Sequence, residues 1–91
     1  PTQYCVEAER SFLFHMQGGC SVPVFCYAHL LSPYTMFILG GIIKLDGSTM
    51  VLDMKNVPIH EHIKAGEVLA KKVLKMGGKE ILDEIKIQLK K

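Results

Sequence analysis

The hydrophobic rhythm of this chain changes twice, and the two changes limit what it can fold into. From Tyr4 to Gln17 the apolar residues Cys5, Ala8, Phe12 and Met16 recur at helical spacing, with Leu13 beside them. Thr2 is placed to cap the start, and Glu7 and Glu9 lie near the positive end of the helix. Gly18-Gly19 then offers the positive-φ residue that a helix C-terminus commonly uses. After Ser21 the period becomes two. Val22, Val24, Cys26, Ala28 and Leu30 share one face, and Phe25, Tyr27, His29 and Leu31 share the other. Apolar residues on both faces predict a strand with little of its surface exposed.

The extended pattern continues to Pro58 and then reverts. "LSPYT" reads as a turn, and "MFILGGIIKL" as a second strand whose Gly40 and Gly41 mark a bend or a close backbone approach. "LDGS" reads as a hairpin turn of the Asp-Gly kind, and "TMVLDMKNVPI" as a third strand. From His60 to Met76 a helical stripe returns at Ile63, Gly66, Leu69, Val73 and Met76, stopped by Gly77-Gly78. "KEILDEIKIQLKK" closes the chain as a helix with Ile81, Leu82, Ile85 and Leu89 on one side. Short links favour antiparallel neighbours. The expected fold is therefore α+β: a three-stranded antiparallel sheet with its helices on one face, in the order α-β-β-β-α-α.

Ninety-one residues form a single domain, residues 1–91, with 48% hydrophobic and 22% charged residues and no disordered tract. The apolar runs are too short to span a bilayer, and no stretch reads as a secretory leader, so no membrane partner is expected. Cys5, Cys20 and Cys26 match no zinc or disulfide spacing; they read as reduced thiols in a cytoplasmic protein. Net charge is +2, carried by ten lysines and a single arginine, Arg10. Planar recognition of carboxylates or phosphates relies chiefly on arginine. A polyanionic substrate would thus need most of its clamp elsewhere.

Cys20 is the leading candidate for chemistry. It follows a helix C-terminus, where the dipole favours the neutral thiol, which argues against a self-contained thiolate catalyst. A permanent covalent tether needs no such activation. The ordinary alternative is a loop cysteine without a role. His60, Glu61 and His62 could be metal ligands, but histidines two apart diverge at a helix start, and polar residues at a helix entrance are the simpler reading. His15 and His29 have no visible partners. Lys71, Lys72 and Lys75 read as a solvated helix face. A helix–sheet–helix order also occurs in double-stranded-RNA-binding domains. A stand-alone module for RNA or a protein partner is therefore the rival, although the weak basic balance argues against nucleic acid.

"AERSFL", "GGCSVPV", "LDGS", the helix around "AGEVLA" and "GGKEIL" occur in an order that resembles the C-terminal domain of the porphobilinogen deaminase (hydroxymethylbilane synthase) family, from about Tyr4 to Ile87. Met16-Gln17 stands where that family usually has Leu-Glu, and "LLSPYT" lacks its usual Asp-Gly turn. The resemblance implies that Cys20 carries a dipyrromethane cofactor through a thioether. It implies that Gly18 and Gly19 form the tether loop. It further implies that the parent transferase joins four porphobilinogen molecules, releasing ammonia, to make hydroxymethylbilane for tetrapyrrole and haem biosynthesis. The family's catalytic aspartate and arginine-rich sites belong to two preceding domains. The resemblance therefore makes this chain the cofactor-attachment domain of a three-domain enzyme, inactive alone and free of the cofactor in isolation.

Overall fold

The computed structural model describes residues 2–16 and 23–89. Helix α1 (Thr2–His15) leads to strands β1 (Val24–Leu30), β2 (Thr35–Ile43) and β3 (Met50–Pro58), followed by helices α2 (His62–Val73) and α3 (Lys79–Leu89). The sheet is antiparallel in the order β1-β2-β3. This is the α-β-β-β-α-α arrangement expected from the periodicity. Thr2 is the first residue described and is already helical. The expected helix stop at Gly18-Gly19, Cys20, and the first residues of the expected strand lie outside the described residues.

Register explains how the core is assembled. Cys26, Gly40 and Asp53 lie side by side across the sheet, as do Ala28, Ile38 and Lys55. This puts Val24, Cys26, Ala28 and Leu30 on the same face as Met36, Ile38, Gly40 and Ile42. The helices pack on that face. Phe12 of α1 and Met16 just after it, Leu69 and Val73 of α2, and Ile81, Leu82 and Ile85 of α3 are buried with Met36, Ile38 and Ile42. Gly40 serves a close approach: a Cβ there would stand 2.5 Å from the Phe12 ring. At Gly41 the neighbour is backbone, as expected: a Cβ there would stand 2.5 Å from the Val51 carbonyl oxygen.

Three expectations need correction. Strand β1 is not enclosed on both faces: Tyr27 is 55% exposed, because no helix covers the second face of the sheet. Ile63 of α2 and Met76 in the turn after it, both placed on the buried stripe, are about half exposed. The buried face is instead Ala65, Gly66, Leu69, Ala70 and Val73. The β2–β3 link is longer than an Asp-Gly two-residue turn. Lys44 N–H donates to the Thr49 carbonyl at 2.9 Å, enclosing four residues, with Gly47 at φ +77°. The Asp46 carboxylate accepts from Ser48 N–H at 2.8 Å and is held below the ordinary range by Ser48.

A short 3₁₀ turn, Ile59–Glu61, swings the chain from the sheet into α2. At the other end, Gly77 adopts φ +119° and breaks the helix before α3, as the paired glycines foretold. No helix among the described residues is long and apolar enough to cross a membrane.

Candidate functional site

Residues 17–22, which include Gly18, Gly19 and Cys20, connect α1 to β1 and lie outside the described residues. The described residues define the frame at either end of that connection. On the α1 side, Phe12 and Met16 are fully buried and Met16 N–H donates to the Phe12 carbonyl at 3.0 Å. On the β1 side, the Pro23 carbonyl accepts from Ile43 N–H at 3.1 Å, anchoring the entry to β1 onto β2.

One side chain ties the two ends together. Glu9 reaches from α1 to accept the Ala28 N–H at 2.9 Å. Ala28 lies on the edge strand, where alternate N–H groups point away from β2 and need another partner. Sequence reasoning assigned Glu9 only a favourable charge near a helix start. Its tertiary role has no local signal, since the bond spans nineteen positions. Its presence in the "Glu-Arg-x-Phe-Leu" stretch was the available clue.

Helix α1 is held equally firmly by α2. Gly66 lets the helices meet at backbone distance: a Cβ there would stand 2.6 Å from the Ala8 carbonyl oxygen and 2.7 Å from the Phe12 nitrogen. The buried Ser11 hydroxyl donates to the Ile63 carbonyl at 2.6 Å. At one end of this contact His62 is bracketed by acceptors, with Nε2 2.7 Å from Glu7 Oε1 and Nδ1 2.9 Å from the Ile59 carbonyl. The imidazolium form satisfies both, and the neutral ring only one. At the other end His15 Nδ1 lies 2.7 Å from the Ser11 carbonyl, and Nε2 lies 3.8 Å from Glu67.

The bond from His62, then that from Gln3, holds the Glu7 carboxyl below its ordinary range. A carboxyl whose pKa is depressed by folding contributes stability that is present above its unfolded value and lost as pH falls through the folded one. The Glu7 contribution is therefore complete above about pH 4.5 and fades in more acid solution. Thermal melts as a function of pH should show a shallower acid limb for Glu7→Gln than for the native chain. An unchanged acid limb would remove Glu7 from this clasp.

The other candidates fall into place around this frame. Cys5 and Cys26 are free, half-buried thiols packed against the core. Burial and then the Glu9 charge push both upward, Cys26 to about 12, so neither is poised as a nucleophile. His60 is exposed beside Glu61 while His62 turns inward, so the two diverge, and no metal-holding cluster exists among the described residues. His29 lies between Tyr27 and Phe37 in tilted contacts at 5.3 and 5.2 Å, and its Nδ1 has no partner among the described residues. Lys71 pairs with Glu67 at 2.8 Å and Lys72 with Asp53 at 3.2 Å, while Lys75 is exposed, as a solvated helix face requires. Arg10 is exposed on α1.

Residues 3–75 match the family model described as porphobilinogen deaminase, C-terminal domain. The chain is similar to the porphobilinogen deaminase of Moorella thermoacetica, with 36% identity over 88 residues, covering 97% of this chain and 28% of that protein. It is 35% identical over 88 residues to the Chlorobaculum tepidum protein of the same name, covering 93% of this chain and 28% of the relative. Against that of Geotalea uraniireducens it is 38% identical over 84 residues, or 92% of this chain and 26% of the relative. The chain thus spans little more than a quarter of the length of these relatives.

Proposed function

The chain belongs to the porphobilinogen deaminase C-terminal domain family, and from that premise we propose that it is the domain through which the whole enzyme holds its dipyrromethane, with Cys20 as the attachment residue. The family implies a thioether, which requires a thiol that is not committed to packing. The observation that carries the reading is that the two described cysteines, Cys5 and Cys26, are both committed to the core. Cys5 and Cys26 are packed against the core with their thiols pushed upward. Cys20 follows the paired glycines, in a segment joining two elements that Glu9 fastens to each other.

When bound, the dipyrromethane supplies the primer to which four porphobilinogen units are joined to give hydroxymethylbilane. This chain's part is to hold that group at a defined place. Glu9, Gly66, Ser11 and the Glu7–His62 pair fix α1 against β1 and α2, and so fix both ends of the connection that contains Gly18, Gly19 and Cys20. Acetate and propionate side chains call for planar, bidentate cations, and the only guanidinium in the sequence is Arg10; among the described lysines, Lys44, Lys71, Lys72 and Lys79 each lie within 4 Å of a carboxylate. Anion recognition and proton transfer belong to the two preceding domains of the enzyme, which are this chain's partners in cis. The rival reading as an RNA- or protein-binding module has no observation in its favour.

Peptide mapping of the whole enzyme tests the attachment: a dipyrrole adduct is expected on Cys20, and an adduct on Cys5 or Cys26 would overturn the assignment. The 91-residue chain alone should consume no porphobilinogen and should carry Cys20 as an unmodified thiol. Turnover by the purified chain would move the chemistry into this domain.

A further inference from the structure

One end of the domain gathers the entry to β1, the β2–β3 turn and the break between α2 and α3. The Pro23 carbonyl accepts from Ile43 N–H, which puts the entry to β1 beside the exit from β2. Ile43 pairs with Met50, so the turn joining them lies at this end. A Cβ on Gly77 would stand 3.7 Å from Val51, which sets the α2–α3 break against the start of β3. Helix α1 finishes here too. Glu9 meets Ala28, while Phe12 meets Gly40, the partner of Cys26, so α1 advances toward the start of β1. Large apolar side chains stand out at this end. Phe14, in the last turn of α1, is 78% exposed, and Leu45, Met50 and Met76 are each about half exposed. Exposure alone does not choose between the ends, because Leu31, Tyr34 and Ile63 are exposed at the other.

The reach of the chain does choose. Cys20 comes four residues after Met16 and three before Pro23. At no more than about 3.6 Å per residue, it stands within about 14 Å of the first and about 11 Å of the second. The β1–β2 turn begins about 20 Å further along the sheet. On the reading of Cys20 as the attachment residue, we propose that the Cys20 end of this domain is the surface that docks on the two preceding domains of the enzyme, with Phe14, Leu45, Met50 and Met76 as its apolar contacts. A dipyrrole on so short a tether meets acid–base and anion-binding groups in those domains only where they come up to this end. The relatives supply a partner of sufficient size, since the chain spans 28% of the Moorella thermoacetica protein and the remainder is available to cover it. Charge fits as well. Lys44 lies 3.6 Å from Glu84, and the Asp46 carboxylate accepts the Ser48 N–H, so these ionic groups of the turn are engaged within the domain. The exposed side chains around them are left for an apolar contact. Two of the four are methionines, whose unbranched thioethers adapt to an irregular partner. An interface between domains of one chain buries about 600–1,500 Å², and a few central apolar anchors carry most of its energy.

Photo-crosslinking in the whole enzyme tests the docking. p-Benzoylphenylalanine is placed singly at Phe14, Met76 and Tyr34, all exposed positions where a larger ring is accommodated. After illumination, peptide mapping should show crosslinks from positions 14 and 76 to peptides outside these 91 residues, and none from position 34. Positions 14 and 76 that crosslink only within the 91 residues, or not at all, would overturn the proposal. So would a position 34 that reaches the preceding domains as readily as they do. The same peptide maps read the attachment separately. A dipyrrole on Cys20 without interdomain crosslinks from 14 and 76 refutes the docking and leaves the attachment standing. A dipyrrole on Cys5 or Cys26 refutes the attachment, and the crosslinks still decide the docking.

Discussion

Cys20→Ser in the whole enzyme is expected to abolish dipyrromethane attachment and turnover together while leaving the domain folded. Serine differs by one atom, yet its hydroxyl is a far weaker nucleophile than a cysteine sulfur unless a base activates it. A tether formed once from an electrophilic pyrrole would therefore not form on serine. Turnover should fall by at least about 10³-fold, the scale on which enzymes lose activity when a covalent nucleophile is removed. Cys5→Ala and Cys26→Ala provide the contrast. Each removes a half-buried sulfur packed against the core, so each should cost about 1 kcal/mol of stability and leave the adduct in place. Intact mass, peptide mapping and thermal melts of the three variants separate the two roles. An adduct surviving Cys20→Ser would end the assignment, as would loss of adduct in Cys26→Ala at unchanged stability.

Periodicity alone carried the order of elements, because each change of rhythm coincides with a real change of backbone. It carried less about which faces are covered. In β1, apolar residues on alternate positions read as burial on both sides, but hydrophobicity reports what a face could bury against, not whether a partner is present. In α2 the large residues Ile63 and Met76 misplaced the stripe. The buried face there is centred on Gly66 and Ala70, small residues whose value is the close approach of α1. The stripe read from the sequence held Gly66 but passed over Ala65 and Ala70.

The candidate site divides along a similar line. Gly18, Gly19 and Cys20 were legible as a motif because they are adjacent in sequence. The groups that fix the frame were not, since their partners are distant: Glu9 with Ala28, Ser11 with Ile63, and Glu7 with His62. Nothing near Glu9 says that its carboxylate will satisfy the edge of a strand. Polar residues at a helix entrance is the simpler reading of His60 to His62, and what the sequence does not show is that the His62 ring turns inward to lie 2.7 Å from Glu7 of α1.

Gly66→Ala tests that frame most severely. In an exposed helix interior the change would stabilise by about 1 kcal/mol, through backbone entropy. Here the added methyl would meet the Ala8 oxygen at 2.6 Å and the Phe12 nitrogen at 2.7 Å. Both atoms belong to the α1 backbone, so no rotamer change relieves the clash and the helices must separate. Overpacking of this kind costs about 1–3 kcal/mol or more, and separation also strains the 2.6 Å Ser11–Ile63 bond and the 2.7 Å Glu7–His62 pair. We expect a net loss of about 2 kcal/mol, which lowers the melting temperature of a domain this size by roughly 8–16 °C. Gly47→Ala is the control. Gly47 needs its positive φ, but nothing lies within 4 Å of its missing Cβ, so the penalty there is local strain that leaves α1 in place. In the whole enzyme, Gly66→Ala should therefore reduce turnover at temperatures where the domain is still folded, and Gly47→Ala should not. The reason is geometric: Glu9 keeps α1 fastened to β1, so a helix forced away from α2 must carry the start of the Cys20 connection with it. A Gly66→Ala variant that melts higher than the native chain would show that the two helices do not depend on this approach.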